Sequence, residues 1–238
     1  MKCKKGILLL LSLILTMGVT SMDAFGLFGF GGTQKWKEEV LLHDGQKVIV
    51  QRAQTRGGRH ELGQEPPIKE QSVTFTLPDA NKSITWKDEF SKDVGHSNFE
   101  LLALHILNGT PYIVASPDGC LAYNKWGRPN PPYIFFRSDG KAWQRISLSE
   151  LPAEFNNINL VINTLDHEKE LVSLGLASAE SVMQLNNSLK QKQYKTIIRT
   201  PLKPGATGVS YPQLIYYKGA WIAPGDSIGR RMMDRRSK

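Results

Sequence analysis

Short runs of alternating apolar and polar residues, most of them ended by an X-Gly dipeptide, dominate this chain. Over residues 72–77 the alternation is clean, with Val73, Phe75 and Leu77 set against Ser72, Thr74 and Thr76, and Ile84 and Trp86 continue it after the Pro78-Asp79-Ala80-Asn81 turn. A period of two places alternate side chains on opposite faces, so this pair predicts a hairpin with one buried and one wet face. An earlier hairpin is predicted from residues 36–43 and 46–52 across Asp44-Gly45, with Leu41 opposite Val48. Residues 53–70 hold Arg56-Gly57-Gly58-Arg59 and Pro66-Pro67 with almost no apolar positions, the composition of a long exposed loop.

Residues 99–123 predict a three-stranded meander with turns at Asn108-Gly109 and Asp118-Gly119. Its middle strand (YIVAS, 112–116) sets Ile113 opposite Leu104 and Val114 opposite Tyr123. After a Pro-rich crossing loop at 124–132, residues 131–152 (PPYIFFRSDGKAWQRISLSELP) predict an interior hairpin. A two-residue turn at Asp139-Gly140 would set Phe136 opposite Trp143 and Ile134 opposite Arg145. Residues 159–163 and 194–200 read as short strands, and 214–217 pairs with 220–223 across Lys218-Gly219. One helix is expected near residues 178–190, where Ser178 can cap it and Val182, Leu185 and Leu189 share a face. The fold class is therefore mainly β: an antiparallel sandwich or strongly curved sheet of X-Gly hairpins with one helix.

Charge changes this picture mostly at the ends. The chain of 238 residues carries a formal +8, of which Arg230, Arg231, Arg235, Arg236 and Lys238, less Asp234, supply +4 in the basic tail at 230–238. Lys2, Lys4 and Lys5 precede the apolar run ILLLLSLILTM, which small and polar residues follow, so residues 1–24 read as a signal peptide. The alternative is an uncleaved anchor, though the uncharged run 7–22 is short for a span. Residues 25–35 read as a Gly/Phe-rich leader and 36–229 as a single mostly β domain. Export implies a periplasmic or secreted protein with no membrane span after signal removal. Cleavage would discard Cys3 and leave Cys120 without an intramolecular partner, read as a packed thiol in a strand.

Candidate chemistry is sparse. His43, His60, His96, His105 and His167 show no ligand-pair spacing, and Asp166-His167-Glu168 reads as a solvated turn. No metal, cofactor or catalytic set is assigned, and no Gly-x-Ser-x-Gly elbow is present. Trp36, Trp126 and Trp221 with Arg128 and the Arg56 loop offer a carbohydrate or peptide platform, weighed against a role as core anchors. Formal glycosylation sequons begin at Asn81, Asn108 and Asn186 and would carry no meaning if the source is bacterial.

The stretch 112–152, above all PPYIFFRSDGKAWQRISLSELP, resembles uncharacterised exported proteins of proteobacteria. The resemblance implies a bacterial envelope location and brings no activity or site residue with it. The expected function is non-enzymatic binding or scaffolding in the envelope; the alternative is a periplasmic hydrolase acting on a cell-wall or extracellular substrate. The basic tail is expected to touch an anionic surface, and nucleic acid is not the expected partner.

Overall fold

The computed structural model describes residues 32–78, 81–203 and 210–236. The signal-like stretch, most of the Gly/Phe-rich stretch and Asp79-Ala80 lie outside the described residues. Alternation builds a first antiparallel meander from β1 (Thr33–Leu41), β2 (Lys47–Arg56), β3 (Ile68–Thr76) and β4 (Ser83–Asp88). A second meander, β5 (Phe99–Leu107), β6 (Thr110–Pro117), β7 (Ile134–Ser138) and β8 (Trp143–Ile146), packs against it. Val40, Val50, Val73, Phe75 and Trp86 of the first sheet share one core with Leu101, Leu104, Ile113 and Phe136 of the second. A second core lies on the far side of β5–β8, where Leu102, Val114 and Phe135 meet Phe155, Ile162, Ile197 and Ile198. The mainly β, antiparallel-rich reading therefore stands, and neither sheet closes into a barrel.

Four helices rather than one accompany the described strands: α1 (Gly119–Lys125), α2 (Thr164–Leu174), α3 (Ala179–Asn187) and α4 (Ser227–Arg236). The expected helix is α3, where Ser178 Oγ accepts from the Ser181 amide at 3.2 Å. α2 contains Asp166, His167 and Glu168, so the expected solvated turn is the first part of a helix. The stretch between α2 and α3 adds β9 (Leu176–Ala177) in parallel beside β1. Trp36, Leu171, Ala177 and Val182 then form a third apolar cluster. The expected third strand of the meander is α1, which removes the Val114 pairing with Tyr123 and places Cys120 on a helix; β6 is central, but its second neighbour is β7. A small hairpin of β10 (Ile215–Tyr217) and β11 (Ala220–Ile222) matches expectation, and residues 230–236 of the basic tail belong to α4.

Two registers differ from expectation for the same reason, the placement of a turn. In the first hairpin Leu42 N donates to Gln46 O (2.8 Å), leaving three loop residues; Leu41 faces Lys47, and Val40 faces Val48. In the second, Asp139 N donates to Ala142 O (3.2 Å), so the turn centres on Gly140-Lys141 with Gly140 at φ +83°. Glycine at the first central position suits a II′ turn, and moving the centre by one residue shifts the pairing by two. Phe136 thus faces Arg145, and Ser138 faces Trp143. The long loop is also shorter than expected, because β2 continues to Arg56 and β3 starts at buried Ile68.

Trp143 nonetheless joins the two sheets. It packs half-buried on the shared core, and its Nε1 donates to Thr85 O on β4 at 2.9 Å. Trp143→Ala is expected to cost about 2 kcal/mol, below the range for a fully buried aromatic. An unchanged thermal midpoint would contradict this bridging role.

The expected strands at 159–163 and 194–200 form no ladder beyond a single Asn157–Thr196 bridge. The first of these segments is buried and held by two backbone bonds, from Asn159 N and Leu160 N to Leu102 O, and by side chains. Asn159 Oδ1 accepts from Leu104 N (2.9 Å), and its Nδ2 donates to Leu104 O (2.8 Å) and Leu41 O (3.0 Å). Asn186 Oδ1 accepts from Ile162 N (3.0 Å) while its Nδ2 donates to Leu160 O (2.8 Å). Glu38 Oε2 accepts from Val161 N at 3.0 Å. Amides and a carboxylate replace a neighbouring strand here, covering part of the β5 edge and pairing buried backbone groups.

Candidate functional site: the open face of the first sheet

The alternation that buries Val40, Val50, Val73 and Trp86 turns the intervening residues of β1–β4 outward. Two shallow concavities lie on this outer face. A concavity of about 590 Å³ lies over β1–β3, with Lys37, Lys47, Ile49, Gln51, Thr74 and Thr76 among its lining residues. A second, of about 230 Å³, lies on the same face and includes Thr33, Thr55, Ser72 and Lys87. Hydroxyls recur across it: Thr74 and Thr85 meet at 2.9 Å, as do Thr33 and Thr55. Each hydroxyl retains acceptor capacity for a ligand after making such a bond.

Charge on the face is divided: Lys37 and Lys47 line the larger concavity, whereas Lys87 shares the smaller one with Glu70, Asp88 and Glu89. Lys47 contacts Glu39 at 2.8 Å and Glu180 at 3.5 Å. Its hydrogen bond to Glu39 raises the lysine pKa and lowers that of the carboxylate. Among the described residues Lys35, Lys37 and Lys87 make no ion pair. The larger concavity is a shallow trough of hydroxyls, an amide and lysines, suited to holding a polar chain that carries carboxylates.

The histidines are dispersed. His43 and His105 have ring centroids 6.4 Å apart, and both pack on Phe155. The His105 Nε2 contact to Asn157 O (2.9 Å) puts the proton on that nitrogen, and burial, with His43 acting in the same direction, lowers its pKa to about 4. His60 is exposed beside Gly58 O, and His167 lies 3.8 Å from Glu170 on α2. His96 bonds Ser97 O at 2.6 Å and lies 3.7 Å from Asp118. Among the described residues no group of three His, Cys, Asp or Glu is placed to hold a metal ion.

Folding brings together two constellations that sequence reading missed. Lys125 Nζ donates to Ser91 Oγ (2.6 Å) and to Asp93 Oδ1 (2.8 Å), and Ser91 Oγ donates to the same carboxylate oxygen (2.6 Å). A serine beside a lysine suggests a nucleophile and base, but the lysine is ion-paired with Asp93 and the serine hydroxyl already donates to that same carboxylate, which leaves neither poised for the other. Glu100 accepts from Asn163 N at 3.1 Å; burial, with added repulsion from Asp118, pushes its carboxyl up to about 8. These residues come from strands and loops far apart in sequence, so no local motif reports them. Glu38 and Arg52, by contrast, had a visible signal: opposite charges at inward positions of alternating strands.

The aromatic platform is not assembled. Trp36 is buried with Nε1 on Glu38 Oε1 (2.8 Å), Trp126 donates to Asn98 Oδ1 (3.3 Å), and Trp221 donates to Asp93 O (2.8 Å). Arg128 is engaged by Asn124, Tyr211 and Pro212, and Arg56 by Glu65 and Glu168. Cys120 is partly exposed on α1 rather than packed in a strand. The fold and its face define a two-sheet β-sandwich with an open polar sheet surface. No family model, curated protein or solved structure matches the chain, so its own geometry carries the functional reading.

Proposed function

We propose that this chain is an exported, non-enzymatic envelope protein that binds or scaffolds a partner on the open face of β1–β4. Its basic C-terminal stretch then makes a separate contact with an anionic surface. The polar outer face, with hydroxyls beside Lys37 in the larger concavity and beside Lys87 in the smaller one, which Glu70 and Glu89 also line, is the observation that supports this reading. The basic and apolar N-terminal sequence supports export. Its partner on the sheet is a polar polymer with acidic groups, of which cell-wall peptidoglycan is the natural probe in an envelope.

The full chain is expected to co-sediment with isolated peptidoglycan sacculi. Lys37→Glu with Lys87→Glu should weaken that binding about tenfold, since each exposed ionic contact contributes up to about 1 kcal/mol. Both side chains are exposed, so the thermal midpoint should stay in place. Sacculus binding that is absent, or indifferent to the double substitution, would contradict the assignment of this face. The hydrolase alternative has one supporting observation, the raised Glu100 carboxyl, which is suited to general-acid work. It requires the parent chain to release soluble fragments from sacculi and Glu100→Gln to stop that release.

A further inference from the structure

α4 has two unlike faces. Toward the β10–β11 hairpin, Asp234 Oδ1 accepts from Tyr217 Oη (2.9 Å) and Lys218 Nζ (2.6 Å). On the same side Arg230 lies over the Tyr217 ring at 5.5 Å and donates to Pro224 O at 3.2 Å. The opposite stripe carries Ile228, Arg231, Met232 and Arg235, whose spacing places them along one helical face. Ile228 is 64% and Met232 51% exposed, and the two arginines beside them are exposed as well. The acid within this helix is engaged by the hairpin, so the outward stripe combines positive charge with apolar side chains.

Arginines at a helix C-terminus also have an ordinary role, because they complement the helix dipole. That role accounts for Arg235 and Arg236 but not for two large apolar residues held in water among arginines. We infer that the Ile228-Arg231-Met232-Arg235 face of α4 docks on an anionic lipid bilayer. The guanidinium groups meet lipid phosphates while Ile228 and Met232 enter the interfacial layer. A soluble polyanion would satisfy the charge and leave the apolar pair in water. This inference rests on the anionic contact proposed above and names both its residues and its partner.

The test follows amide hydrogen exchange of α4 in the full chain, a local readout that the apolar N-terminal stretch does not dominate. Vesicles of equimolar phosphatidylcholine and phosphatidylglycerol should slow α4 exchange several-fold more than phosphatidylcholine vesicles do. Arg231→Gln with Arg235→Gln should shift the vesicle titration about thirtyfold, the share of two arginines near an anionic surface. Ile228→Ser with Met232→Ser should shift it about tenfold while circular dichroism of the unbound protein is retained. Equal protection by both kinds of vesicle, or none, would overturn the inference. Protection by heparin that survives the Ile228/Met232 change would also overturn it, yet would leave the broader anionic contact standing.

Discussion

Glu38→Ala is expected to lower the unfolding free energy by about 3–5 kcal/mol, the cost of breaking a buried ion pair from one side. Glu38 and Arg52 are both fully buried and meet at 3.1 Å, with Arg52 also 5.5 Å from the Trp36 ring centre. The carboxylate receives three donors: Trp36 Nε1, Arg52 Nη1 and Val161 N. Removing it leaves a guanidinium charge in the interior, where Nε and Nη2 already have no hydrogen-bond partner among the described residues. Glu38→Leu with Arg52→Met removes both charges and should recover part of the loss. The remaining deficit is about 1–3 kcal/mol for each of the two unpaired donors, Trp36 Nε1 and Val161 N. Urea unfolding of the three proteins tests this; a Glu38→Ala midpoint equal to the parent would contradict it. The pair also ties the β1–β2 hairpin to the 159–163 segment, so the single variant should raise proteolytic sensitivity around Val161.

His105 and Glu100 are expected to make opposing contributions to stability between about pH 4.5 and 6.5. His105 has a folded pKa lowered to about 4 from 6.5. The unfolded state binds its proton first as pH falls through that window, so stability drops toward acid. Glu100 is raised from 4.5 to about 8, so the folded state keeps its proton and stability falls as pH rises through that range. The two slopes are opposite in sign where the windows overlap. Each variant should uncover the other group. Glu100→Gln should make stability rise from about pH 4.5 to 6.5, whereas His105→Phe should make it fall steadily up to about pH 8. The buried His105 contribution amounts to about 3 kcal/mol across its full window. Denaturant midpoints across this range read both slopes, and parallel curves for parent and variants would contradict these opposing contributions.

Much of the sandwich was legible because its hairpins obey two local rules, alternation and positive-φ turn residues. The pairing of Ile113 with Leu104 and the wet face of β3–β4 follow directly from these rules. Registers at Gly45 and Gly140 were harder, since a glycine marks a turn without stating which turn position it occupies. Helix α1 was hidden by an apolar run after Asp118-Gly119 that fits a strand equally well. The buried 159–163 segment was hidden for another reason: its backbone partners are Leu102 O and the Glu38 and Asn186 side chains, all supplied from distant sequence. The open face was implicit in outward Lys37, Gln51 and Thr74, but its concavities arise only when the strands are assembled. Meeting points such as Ser91 with Lys125 depend wholly on tertiary folding.

Amide chemical-shift mapping of the full chain with soluble peptidoglycan fragments tests binding on the open sheet face most directly. Saturable changes centred on Lys37, Gln51, Thr74 and Lys87 are predicted, with Ser91, Asp118 and Lys125 left in place. Changes centred on those last three residues, or no saturable change at the four sheet positions, would contradict the account.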